Sequence, residues 1–160
     1  MKKVLLTLVL FAALASSAYA QFEQGKKYVG ASLSSAGMSY SDYDEFALGL
    51  NFTGGYMFMQ DWMLLGEFGF DIRRGDLQEL YLGAKARYYI EQNGLFLSAG
   101  LRYLHHFDNF NDLQLTPEVG YCFFLGKYVS VEPALYYDMS LSDFSHKSKA
   151  GIRIGFGYYF

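Results

Sequence analysis

The chain has 160 residues, of which 52% are hydrophobic and 19% aromatic, and it contains 17 glycines, two prolines and one cysteine. Thirteen basic residues against 16 acidic ones give a net charge of −3, which offers no basic surface to nucleic acid. Cys122 stands alone, so no internal disulfide can form, and no His lies beside it in sequence to activate the thiol.

The first element is a leader. Lys2 and Lys3 form a charged start, Val4 to Leu14 an apolar run too short to span a bilayer, and Ala18-Tyr19-Ala20 a small-x-small cleavage pattern. Residues 1–20 therefore read as a secretory signal peptide, with the mature chain starting at Gln21. No Cys follows the cleavage site, so no lipid attachment is expected there. Removing two of the 13 basic residues leaves 11 against 16 acidic ones, and residues 21–160 suit one domain.

The rest has no helical periodicity. Segments alternating with period two recur over about 28–40, 46–59, 62–74, 77–90, 95–107, 113–125, 129–141 and 148–160, which predicts eight strands, each long enough to cross a bilayer at a tilt. Gln60-Asp61, Glu91 to Gly94 and Gly126-Lys127 make tight turns, whereas 41–45 and 142–147 are longer and polar; short turns belong on the periplasmic side and longer loops outside. Pro117 and Pro133 cannot donate to a ladder, so each should mark a bulge or a weakened pairing. The last strand shows Ile152, Ile154, Phe156, Tyr158 and Phe160 on one face and Gly151, Arg153, Gly155, Gly157 and Tyr159 on the other.

Alternation also suits a soluble barrel with its apolar face inside, and volume decides between the two. Phe52, Tyr56, Phe58, Trp62, Leu64, Phe68, Phe70, Tyr121 and Phe123 are among the large groups on the apolar faces. An eight-stranded barrel has no room for so many. The opposite face is rich in Gly49, Gly55, Gly69, Gly83, Gly100 and Gly120, which suits a crowded interior. The expectation is an all-β fold, an eight-stranded antiparallel up-and-down transmembrane β-barrel. Tyr28, Trp62, Tyr88, Tyr128 and Phe160 at one end, and Tyr40, Phe46, Phe107, Phe110 and Phe144 at the other, are placed for two interfacial girdles.

The polar face then carries Glu67, Asp71, Glu79, Glu118, Glu132 and Asp138 with Arg73, Lys85, Arg87, Arg102, Lys149 and Arg153. A narrow barrel that buries charges must pair them, and this balance predicts a lumen filled by ion pairs. Opposed residues in an antiparallel ladder have a constant index sum, and matching charges on one face places Glu67 opposite Lys85, Arg73 opposite Glu79, Arg102 opposite Glu118 and Asp138 opposite Arg153.

On these features, over residues 21–160, the chain resembles the small eight-stranded outer-membrane β-barrel superfamily that includes the transmembrane domain of outer-membrane protein A and outer-membrane protein X. The resemblance implies a monomer in the outer membrane of a Gram-negative bacterium, surrounded by outer-membrane lipid and lipopolysaccharide. It also implies handling by periplasmic chaperones and the barrel assembly machinery, with Tyr158 and Phe160 in the C-terminal assembly signal. No cofactor and no metal site is expected. A structural or cell-surface role is expected, with a small-solute or ion channel as the alternative. A lipid A-modifying enzyme is a remote one, because the stretch around His105 and His106 resembles the histidine segment of lipid A deacylases but has Asp108 where their nucleophilic Ser belongs. Asp42, Asp44, Glu45, Asp76, Asp108, Asp112 and Asp143 outnumber Arg74 and Lys147 at the expected outer rim, which would suit divalent cations shared with lipopolysaccharide phosphates, or a basic partner.

Overall fold

The computed structural model describes residues 22–36, 47–73, 76–91, 93–106, 110–142 and 148–160, with the backbone alone for residues 35, 36, 47, 48, 73, 76–78, 106 and 110. The expected signal peptide, most of the acidic rim residues and the girdle residues Tyr40, Phe46, Phe107 and Phe144 lie outside the described residues.

Among the described residues ten strands follow one another as β1 (Lys27–Ala36), β2 (Ala47–Met59), β3 (Trp62–Arg73), β4 (Asp76–Tyr89), β5 (Leu95–His106), β6 (Phe110–Leu115), β7 (Glu118–Tyr121), β8 (Phe123–Phe124), β9 (Val129–Ser140) and β10 (Lys149–Tyr159). β6, β7 and β8 are pieces of one stave between β5 and β9, so the wall has eight staves, all antiparallel to their neighbours. The ring closes where β1 pairs β10. Beyond that ladder Lys27 and Phe160 exchange both backbone hydrogen bonds, at 2.7 and 2.9 Å.

The register can be walked around the ring. Met57 N donates to Lys26 O, and Met57 faces Met63; the row continues through Arg87, Ser98, Glu118, Tyr136 and Gly151 and returns to β1 at Ala36, ten residues beyond Lys26. Such a stagger tilts the staves by roughly 40° and, with strands about 4.8 Å apart, gives a radius near 8 Å to the backbone. One layer of side chains fills that interior. A methyl added at Gly69 would overlap the Tyr81 ring, and one at Gly120 the ring of Phe96.

The turns use the residues their geometry needs. Asp61 and Glu91 adopt positive φ of 63° and 48°, and Gly94 adopts 92°, in the left-handed region where Gly is favoured. The two prolines break one stave rather than bulging it. The register from Gln114 opposite Ser140 to Phe124 opposite Ser130 does not shift, but the ladder lapses at Pro117 and again at Cys122, beside the position where Tyr121 meets Pro133.

Candidate functional site

Period-two alternation sends one side chain in two into the barrel. Along β10, Gly151, Arg153, Gly155, Gly157 and Tyr159 are buried, while Ile152, Ile154, Phe156, Tyr158 and Phe160 are exposed. The same holds around the ring, where Leu82, Leu101 and Leu135 are more than half exposed. An apolar surface of this extent needs an apolar solvent. Trp62, Tyr128 and Phe160 are exposed at the end that carries the turns, as a girdle requires. Tyr28 is not among them. It points inward, only 3% exposed, and donates to Glu132 at 3.1 Å; lying even-numbered on β1 with Ser34, it falls on the inner face.

Within the lumen four acids and four bases form one connected set. Asp138 accepts from Arg102 at 2.8 Å; Arg102 also meets Glu67 at 3.1 Å; Glu67 holds Lys85 at 2.8 Å; Lys85 reaches Glu118 at 3.5 Å. Glu118 also receives Arg153 and Arg87, and Arg87 goes on to Glu132 at 2.7 Å. Glu132 is a hub whose two oxygens also accept from Tyr28, Tyr159 and Ser130. The side chains of this set are 1–11% exposed. Each Arg has a carboxylate at its edge and a ring against its face: Phe96 under Arg87 at 4.0 Å, Tyr81 under Arg102 at 4.3 Å and Tyr136 under Arg153 at 4.7 Å. A planar guanidinium makes both contacts together, donating at its edge while its face lies flat on the ring. A satellite pair, Lys149 with Glu79 at 3.1 Å, lies toward the end away from the termini. Asp71, 8% exposed, stands opposite Glu79 in the ladder.

The direct pairings expected from charge matching differ from the ladder. Glu67 faces Gly83, and Lys85 faces Leu65, although the two charged side chains still meet diagonally. Arg73 faces Asp76 and Glu79 faces Asp71. Arg102 faces Gln114, Glu118 faces Ser98, Asp138 faces Lys149 and Arg153 faces Ala134. At Glu67, Lys85, Glu79, Arg102, Glu118, Asp138 and Arg153 the expected register is two or four residues off, so each keeps its face but changes its partner, and at Arg73 a register shift past Asp71 makes the difference three. The physical reason is reach. An Arg side chain is about as long as this lumen is deep, so its carboxylate can sit two staves away, and register is left to the turns and to ring closure.

Below the charges, at the end carrying the termini, the inner face turns apolar. Met57, Met63, Leu65, Tyr89, Phe96, Phe124 and Tyr159 are buried there, and Phe22, wholly buried, closes the bottom. Its ring stacks on Tyr89 with centroids 3.7 Å apart and packs edge-on against Tyr159 at 5.9 Å. Asp61 N donates to Phe22 O at 3.2 Å, and Gly25 N to Met57 O at 2.9 Å, which ties the segment before β1 across the opening. Sequence reasoning missed this plug. Its signal is a run of inward positions at one level, on several successive staves, that all become large and apolar.

Cys122 is buried, with Tyr159 Oη 3.5 Å from its sulfur. His105 lies on the outer face, 2.6 Å from Asn111 Oδ1, whereas Glu118 is held inside by three cations. The wall separates this histidine from that carboxylate. Asp112, expected at the acidic rim, is 2% exposed and accepts from Ser140, Ser142 and Gln114; it belongs to the inner face. Among the described residues no group of three or more His, Cys, Asp or Glu side chains is placed to hold a metal ion.

No family model matches the sequence, and neither does any curated protein. Solved structures do match. The N-terminal β-barrel domain of Pseudomonas aeruginosa OprF aligns with a TM-score of 0.68 at 15% identity, over 86% of this chain and 98% of that one. Neisserial surface protein A aligns at 0.60 and 14% identity, over 84% and 96%. Ail, the attachment invasion locus protein of Yersinia pestis, aligns at 0.53 and 18% identity, over 86% and 99%. The chain has the fold of the small eight-stranded outer-membrane β-barrels. A de novo designed transmembrane β-barrel also aligns, at 0.56 and 14% identity, so the fold by itself carries no function.

Proposed function

We propose that this chain is an outer-membrane protein of a Gram-negative bacterium with a structural or cell-surface interaction role, and that its barrel is closed to solutes. Both termini and the tight turns face the periplasm, and outer-membrane lipid and lipopolysaccharide surround the wall. The observation that carries the reading is the interlocked charge set above the aromatic plug. Among the described residues the space enclosed between Lys85, Arg87, Glu118, Glu132 and Arg153 is a cavity of about 20 Å³, room for a water molecule and not for a hydrated ion. An ion-selective pore tends to line its lumen with an excess of one sign, whereas the four acids and four bases of this set balance, with Asp71 and Asp112 lying outside it.

The test is conductance of the refolded protein in planar bilayers. We expect no stable open state, and sustained single-channel steps in the wild-type protein would favour the channel instead. Cysteines at Asp76 and Asn111, in a Cys122→Ser background, should label from outside intact cells, and one at Asn93 should not. Phe160→Ala, which keeps the closing backbone pair and removes the ring, should lower outer-membrane yield several-fold if the terminal aromatic is the assembly signal. An unchanged yield would remove it from that role.

A further inference from the structure

Six of the eight seams between staves are ladders uninterrupted by proline, and the β5 seam parts into two blocks at Thr116 and Pro117. The eighth, between the β6–β7–β8 stave and β9, holds only two, three and two paired positions in separate blocks. Backbone parity explains the loss. Leu141 N donates to Leu113 O, Tyr137 N to Pro117 O and Leu125 N to Val129 O, so odd-numbered residues of both strands point their backbone groups into this seam. Pro117 and Pro133 are both odd-numbered. Each therefore withholds an N–H from the same seam, opposite Tyr137 and Tyr121 respectively. The other edge of the stave is intact, since Thr116 N and Cys122 N bridge its gaps to Gly100 O and Gly94 O. In hydrocarbon no water replaces a missing ladder bond.

The lumen side chains cross the same seam. Arg87, rooted on β4, grips Glu118 on one side of it and Glu132 on the other, at 3.5 and 2.7 Å. Arg153, rooted on β10, binds Glu118 while its guanidinium lies over the Tyr136 ring of β9. Toward the other end Ser140 of β9 donates to Asp112 of β6 at 3.0 Å. We propose that this seam is the line along which the barrel opens, and that Arg87 and Arg153 act as braces that hold it shut where the backbone does not. The charged set is then a closure device for one seam and not merely filling.

Amide hydrogen exchange of the refolded protein in lipid nanodiscs tests this, with the β2–β3 ladder as the internal reference. In the wild type the amides of Val119, Leu135 and Tyr137 should exchange before those of the reference. Arg87→Met should speed the seam amides by roughly tenfold while leaving the reference within about twofold. Pro117→Val with Pro133→Val restores two donors on outward-facing positions, so it should slow the seam amides in the wild type and offset most of the Arg87→Met effect. Equal exchange of seam and reference in the wild type would overturn the proposal. So would an Arg87→Met effect spread evenly over both ladders, or a two-proline variant without effect. If Arg87→Met does not refold, the wild-type comparison and the two-proline variant decide.

Discussion

The two halves of the lumen solve one problem by opposite means. The half near the termini is closed by rings and thioethers whose contacts have no sign and little direction. The other half is closed by carboxylates and cations linked into one set, in which Glu67, Lys85, Arg87, Arg102 and Glu118 each hold two or more partners of opposite charge. Apolar packing loses stability in proportion to the volume removed. A buried ion-pair set fails when one member is deleted, because its partners are left charged in a low dielectric. The plug should therefore respond gradually to substitution, and the charge set abruptly.

The sharpest way to break the contrast is Glu118→Gln, which keeps shape and removes the charge shared by Lys85, Arg87 and Arg153. We expect a loss of about 3–5 kcal/mol in urea unfolding of the folded barrel, and a loss below about 1 kcal/mol would show that the set is not what holds that half. Phe22→Ala should cost somewhat less, about 3 kcal/mol, and Phe22→Leu about 1 kcal/mol; equal effects of the two would contradict volume-scaled packing in the plug. Smaller again is the coupling within one pair. Arg102→Glu should be partly rescued by Asp138→Arg, by about 1–2 kcal/mol in a double-mutant cycle, and not by Glu118→Arg, because Arg102 meets Asp138 and Glu67. Rescue by Glu118→Arg would restore the direct pairing that charge matching alone expects.

Parity was legible in the sequence, and register was not. Alternation around Glu67, Arg102 and Arg153 is enough to assign each to the inner face, because a slip of two residues preserves the face. The partner of each depends on the turns and on the stagger of ten residues around the ring, and neither follows from charge. Pro117 and Pro133 were legible as defects one at a time. That they spoil the same seam needs the register, which brings Tyr137 and Tyr121 opposite them. Phe22 was illegible, since a lone aromatic between Gln21 and Glu23 has no periodicity to reveal it. Tyr28 misled for a related reason: its place near a strand end suits an interfacial ring, and only its even position on β1 assigns it to the lumen.

The junction of β1 with β10 has a kinetic consequence. Most other seams join neighbours in the chain through short connections, so their loop-closure entropy is small, whereas this one brings Lys27 to Phe160 across the whole domain. It carries the largest closure cost, so it is expected to form after the seams between chain neighbours, when a curled sheet with two open edges is already assembled. Until Phe160 reaches Lys27, both edges can pair with another chain, so the contact between these two residues is the one that ends the sheet's exposure to aggregation.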